Sequence, residues 1–142
     1  MIVSVRDTTL TSRPAVGPGT APEIRLALDF AFRSPRMDAL IALCSCPDTA
    51  TADRIARTLV DERLAACVNR LPGVESIYRW NGEVQVDEEV LLVIKTSRVR
   101  YAALEARVVA LHPYEVPEVI AIPIGEGHAP YLAWIAKETR PE

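Results

Sequence analysis

Asn81-Gly82 constrains this chain more than any other pair of residues. It stands between two strand-like segments, Val74 to Trp80 and a return run that reaches Thr96. Both residues accept the positive φ of a type I′ turn, so the pattern reads as a β-hairpin. The returning strand is long, about a dozen residues against a usual 5–6. Its segment Val90 to Ile94 is unbroken apolar. A strand of that length runs past its own sheet and offers an arm to a neighbouring subunit.

Around the hairpin the chain reads strand, helix, strand, strand, helix, strand. Ala39 to Cys46 is almost wholly apolar, as in a strand covered on both faces. Pro47-Asp48-Thr49 breaks it, and Asp48 or Thr49 is placed to cap a helix. Ala52, Ile55, Ala56, Leu59 and Val60 then recur at helical spacing, with charged residues opposite. Ala65 to Leu71 predicts a short second strand closed by Pro72-Gly73. Cys67, mid-segment and among apolar neighbours, reads as core. Ser97 is placed to cap a second helix with a stripe of Tyr101, Leu104, Val108 and Leu111, stopped by Pro113 just after His112. A last strand covers Glu118 to Ile124. Pro130 opens a short C-terminal helix holding Tyr131, Trp134 and Ile135. This order predicts an α+β, ferredoxin-like βαββαβ sandwich with a long central hairpin.

Composition shifts near residue 37. Residues 1–36 hold four of the eleven prolines, and five arginines against Asp7, Glu23 and Asp29. The segment is therefore about +2 and the remainder about −5 of a total of −3. Ser12 to Pro22 lacks periodicity and reads as disordered. The domain is expected over 37–142. The extension over 1–36 reads either as an upstream-start artefact, with Met37 the true first residue, or as a natural flexible tail. Its acids argue against a transit peptide.

A net charge of −3 argues against a phosphate-bound nucleic-acid partner. No apolar run approaches the roughly 18 residues of a membrane helix. Three cysteines are too few and too unevenly spaced for a disulfide framework, and no signal peptide is evident, so a reducing cytoplasm is expected. No phosphate loop, His-Glu-x-x-His helix or nucleophile elbow appears. Glu88 and Glu89 adjoin in a strand and point to opposite faces, so they do not pair as acid and base. No catalytic residue is assigned.

The strings Cys44-Ser45-Cys46-Pro47-Asp48, Glu62 through Asn69, Tyr78-Arg79-Trp80-Asn81-Gly82, Glu89 through Thr96, His112 through Glu118 and Tyr131-Leu132-Ala133-Trp134 resemble, in order and spacing, the CutA divalent-cation-tolerance family. The resemblance covers roughly residues 38–138. It implies a ferredoxin-like subunit in a homotrimer similar in architecture to the PII signalling proteins, without established catalysis and linked to tolerance of divalent metals, copper above all.

The resemblance places Cys44 and His112 at family positions associated with copper. Thiolate suits Cu(I), and imidazole accepts either copper state. Cys46, two residues on, shares the face of Cys44 in a regular strand. Where some relatives carry a second histidine before His112, this chain has Leu111. Each candidate has a plainer reading: buried cysteine is a common small hydrophobe, and a histidine ending a helix complements its dipole. His128 reads as an exposed loop residue. Tyr78, Trp80, Lys95, Tyr114, Glu118 and Trp134 either line a cleft between subunits that accepts a small ligand or cement the interface itself.

Overall fold

The computed structural model describes residues 38–142. The start-codon and flexible-tail readings of the first 36 residues lie outside that range. The elements are β1 (Ala39–Cys46), α1 (Thr49–Asp61), β2 (Cys67–Trp80), β3 (Glu83–Ser97), α2 (Arg98–Leu111), β4 (Ile120–Pro123) and α3 (Ala129–Glu138). The four strands form one antiparallel sheet in the order β2-β3-β1-β4. This is the ferredoxin-like α+β arrangement, with β1 central and β2 at an edge.

Strand alternation divides the sheet into two faces. On one, Ala42, Cys44 and Cys46 of β1 and Val90, Leu92 and Ile94 of β3 pack with Ala52, Ile55, Ala56 and Leu59 of α1 and Leu104 and Val108 of α2. Burying a large side chain of this kind contributes about 1.5–3 kcal/mol before chain entropy offsets it. Asp48 caps α1, its carboxylate accepting from the Thr51 amide at 2.7 Å. Val60 falls off the apolar stripe and is exposed, at the edge of the helical face that the spacing overextends.

The opposite face is covered only at one end. There α3 brings Ile135 and Leu132 onto Ala39, Ala66 and Ile124. Ser97 precedes α2 without bonding its amides; its hydroxyl accepts from Thr139 instead, at 2.9 Å. Ile120 and Ile122 of β4 remain about half exposed, at 50% and 53%. The last strand is shorter than the Glu118–Ile124 pattern predicts: Ile120 to Pro123 pair in register with β1, and the Ile124 amide adds one bond to the Ala39 carbonyl at 3.0 Å.

Two expectations for β2 are corrected. Pro72-Gly73 does not close a short strand: β2 continues through it to Trp80. Leu71 pairs with Leu91 and Val74 with Glu89, so two residues of β2 face Val90 alone. That is a β-bulge, where a missing proline N–H is tolerated and Gly73 takes φ +74°. Cys67 starts this strand and is only partly buried, not core as its apolar neighbours suggest. Beyond the bulge, β2 and β3 run on as a two-stranded ribbon ending at Asn81 (φ +49°) and Gly82 (φ +85°).

The tip turn yields a prediction. A Cβ at Gly82 meets nothing within 4 Å, so Gly82→Ala carries only the backbone cost of its φ. It should lower stability by about 1–2 kcal/mol, read as a shifted urea midpoint with unchanged slope. Gly125→Ala, equally uncrowded and without positive φ, should stay within about 0.5 kcal/mol of the parent.

Candidate functional site

The end of β1 carries Cys44 and Cys46 on its helix-facing side, and the end of α2 brings His112 against them. A sulfur from each cysteine and a ring nitrogen of His112 all lie within 4.8 Å of one another, and all three residues are buried. His112 is held at both nitrogens. Nε2 lies 2.8 Å from the Ser45 carbonyl oxygen, which only accepts, so Nε2 carries the proton. Nδ1 accepts from the Tyr114 amide at 3.1 Å. The neighbouring Cys46 sulfur, together with burial, pushes the Cys44 thiol up, whereas the Cys44 thiol beside it pulls Cys46 down.

Two sulfurs and one imidazole form a soft donor set, gathered closely enough that a small closing of the cluster would bring all three onto a single soft cation. Ligation by His112 requires giving up either its bond to Ser45 or the one from Tyr114. Among the described residues no other group of three or more His, Cys, Asp and Glu converges in this way.

Tyr114 links this cluster to a second feature. Its ring lies 4.9 Å from that of His112, and its hydroxyl donates to Glu89 Oε1 at 3.0 Å. Ser76 donates to the other oxygen, Oε2, at 2.6 Å. Glu89 is 5% exposed. Around it opens a cavity of about 570 Å³, lined among others by Tyr78, Trp80, Tyr114 and Glu118. The bulge explains the assembly. Because β2 carries one extra residue there, Ser76, Tyr78 and Trp80 share the face of Glu89 and Asp87; without it, Glu75, Ile77 and Arg79 would. Tyr78 accordingly donates to Asp87.

Of the residues the sequence marks for a cleft, Tyr78, Trp80, Tyr114 and Glu118 therefore come together within one chain. Lys95 and Trp134 do not join them. Lys95 is buried, its ammonium bonded to Asn69 Oδ1 and, at 3.1 Å, to the Val93 carbonyl. Trp134 packs on Tyr131 with ring centroids 5.5 Å apart. His128 is exposed just before α3. Sequence reading missed Glu89 and Ser76 as site residues. The usable signal was glycine inside a strand pattern, a mark of a bulge and a changed register.

Fold and site define a ferredoxin-like α+β protein with a buried thiol–imidazole cluster beside an acidic, aromatic cavity. Comparison with known proteins carries this further. The family model of the CutA1 divalent ion tolerance protein matches residues 40–138. "Divalent-cation tolerance protein CutA" of Thermus thermophilus is 52% identical over 99 residues, covering 70% of this chain and 96% of that one. Human "Protein CutA" is 48% identical over 98 residues, 69% of this chain; the match spans only 55% of the human protein's length. Solved structures of CutA from Xylella fastidiosa (46% identity) and of Cut A1 from Thermus thermophilus (50%) each superpose with a TM-score of 0.71, covering 72% of this chain and 99% of theirs. The chain belongs to the CutA1 divalent ion tolerance family.

The site's phenols allow a test by pH. All four tyrosines, Tyr78, Tyr101, Tyr114 and Tyr131, are pushed above the ordinary phenol range. A hydrogen bond to Asp87 leads for Tyr78; burial leads for the other three. The folded chain then holds more protons than the unfolded one above pH about 10, so stability should fall as pH rises through that value. Tyrosinate absorbance of the folded chain should show less than half ionisation there. Ionisation at the free-phenol midpoint would contradict the geometry.

Proposed function

We propose that this chain acts as a metal-tolerance protein, a non-catalytic homotrimer of the cytoplasm that binds copper at Cys44 and His112, with Cys46 as a further donor. The observation that carries this reading is the buried convergence of two thiols and an imidazole within 4.8 Å. Copper, when bound, would be cargo held by soft ligands; the chain's own contribution is a site that keeps both sulfurs away from solvent and adds one neutral nitrogen. Family membership supports divalent cations as the class of ligand.

Trimerisation draws support from the half-covered sheet face and from the ribbon, whose outer face exposes Ile77 (68%), Val84 (60%) and Val86 (57%). An isolated two-stranded ribbon is marginal in water, and contact with another copy would stabilise it. The cytoplasmic assignment rests on three free cysteines. Among the described residues no helix is long and apolar enough to cross a membrane. Relatives are not uniform here: a rice protein is named chloroplastic, and an Archaeoglobus fulgidus protein periplasmic.

Titrating the reduced, metal-free protein with Cu(I) tests the site. Cys44→Ala and His112→Ala should each weaken binding by at least the roughly tenfold to hundredfold that even an outer-shell partner is worth. Cys46→Ala should cost less. Binding untouched by either of the first two substitutions would remove this site.

The cavity favours a second reading, a PII-like sensor or signalling scaffold whose cleft takes a small molecule. In that reading Tyr78, Trp80, Tyr114 and Glu118 make the cleft, and Lys95 and Trp134 complete it where copies meet. A melting screen separates the two. A ligand at about 100 times its dissociation constant adds about 2.7 kcal/mol. Stabilisation by metabolites and none by metals would favour the sensor.

A further inference from the structure

We infer that the cavity around Glu89 is a binding site for a small organic cation, one carrying N–H donors on a short apolar stem, such as a primary ammonium or a guanidinium. This deepens the ligand-cleft reading and rests on it, not on the copper site.

Three observations point to that class. The first is charge. Glu89 is 5% exposed and receives one hydroxyl on each carboxylate oxygen, from Ser76 and Tyr114, the arrangement that suits an anion. Yet no ion pair among the described residues reaches it. A buried carboxylate has about four acceptor positions, of which two are filled here. A buried charge without a counter-charge is costly, and a cation in the cavity would offset that cost.

The second is the lining. Glu115 and Glu118 add acidic groups, and within one chain no lysine, arginine or histidine lines the space. The part of the cleft that one chain supplies therefore disfavours an anionic ligand. Tyr78, Trp80 and Tyr114 contribute aromatic surface on which a cation is attracted by the ring quadrupole. Pro113 and Val116 offer apolar contact to a stem. The volume of about 570 Å³ lies within the range of small-molecule sites.

The third is how the donors are spread. The convergent donor cluster among the described residues is Cys44, Cys46 and His112, and the cavity's carboxylates do not bring their oxygens together in that way. Acidic groups spread over an aromatic-walled space suit a cation with its own length and N–H donors.

Calorimetric titration of the full, reduced, chelator-treated chain tests the inference. The probes are 1,4-diaminobutane and 2-phenylethylamine, with succinate and 3-phenylpropionate as matched anions. Saturable binding of at least one amine and of neither anion is expected. Glu89→Gln keeps the shape but removes the charge, and should weaken the amine at least tenfold. Trp80→Leu, at a half-exposed position that the core does not need, should weaken it as well. Glu126→Gln, an exposed carboxylate outside the cavity, should leave binding unchanged. Because Trp80 and Trp134 are the chain's two tryptophans, a Trp134→Phe background isolates Trp80 fluorescence, which should respond to the amine.

Amines that fail to bind, amines and anions that bind alike, or binding indifferent to both Glu89→Gln and Trp80→Leu would each overturn the assignment. If a neutral or anionic metabolite stabilises the protein while amines do not, the cation assignment falls and the ligand-cleft reading survives. If no small molecule stabilises it and a structure of the assembly seats a partner's basic side chain on Glu89, both fall.

Discussion

The pairing of β1 with β3, from Ala39 opposite Ser97 to Cys46 opposite Val90, is the constraint on which the rest of this subunit hangs. It places a central strand between β3 and β4 and assigns every side chain of β1 to one face or the other. A slip of one residue would exchange Ala42, Cys44 and Cys46 for Ile41, Leu43 and Ser45 on the helix-facing side. The core would lose its fit, and both sulfurs would leave His112. The interaction that holds the fold together therefore also brings the thiol–imidazole cluster together. Cys44 and Cys46 belong to the main core cluster as much as to any site. The packing and ligand readings of these cysteines, opposed when judged from sequence, describe the same buried position.

A second register decision, the bulge at Pro72-Gly73, acts in the same way on the other face. One extra residue in β2 turns Ser76, Tyr78 and Trp80 toward Glu89 and Asp87. Tyr114, just past the end of α2, then ties the features together. Its amide holds Nδ1 of His112 and its hydroxyl holds Glu89. A cation taken up at either place would be felt by the same residue.

Much of this was legible beforehand, because it rests on local chemistry. Asn81-Gly82 announced the hairpin through the φ values only such residues accept readily. The helices showed through periodic apolar positions, and Asp48 through its place before the first turn. Cys44, Cys46 and His112 were marked by family resemblance and by the period of a strand. What was not legible depends on pairing between distant residues. Pro72-Gly73 reads locally as a stop, and only the partner strand β3 shows that it is a bulge. Glu89 was set aside as half of an adjacent acidic pair; its role comes from Ser76 and Tyr114, 13 residues before and 25 after it. Nor does the motif show that, within one chain, the Lys95 ammonium finds Asn69 and the Val93 carbonyl. Val60 continued a stripe whose edge simply lay outside the packed face.

One sheet face left half open and a ribbon running past its own sheet together motivate the proposal that three copies complete each other. Ile120 and Ile122 on that face, and Ile77, Val84 and Val86 on the ribbon, are the apolar surface such an assembly would remove from water. Light scattering coupled to size exclusion, at micromolar concentration, measures this directly. The account predicts a mass near three times the 15.6 kDa of one chain. A mass of a single chain under those conditions would contradict it.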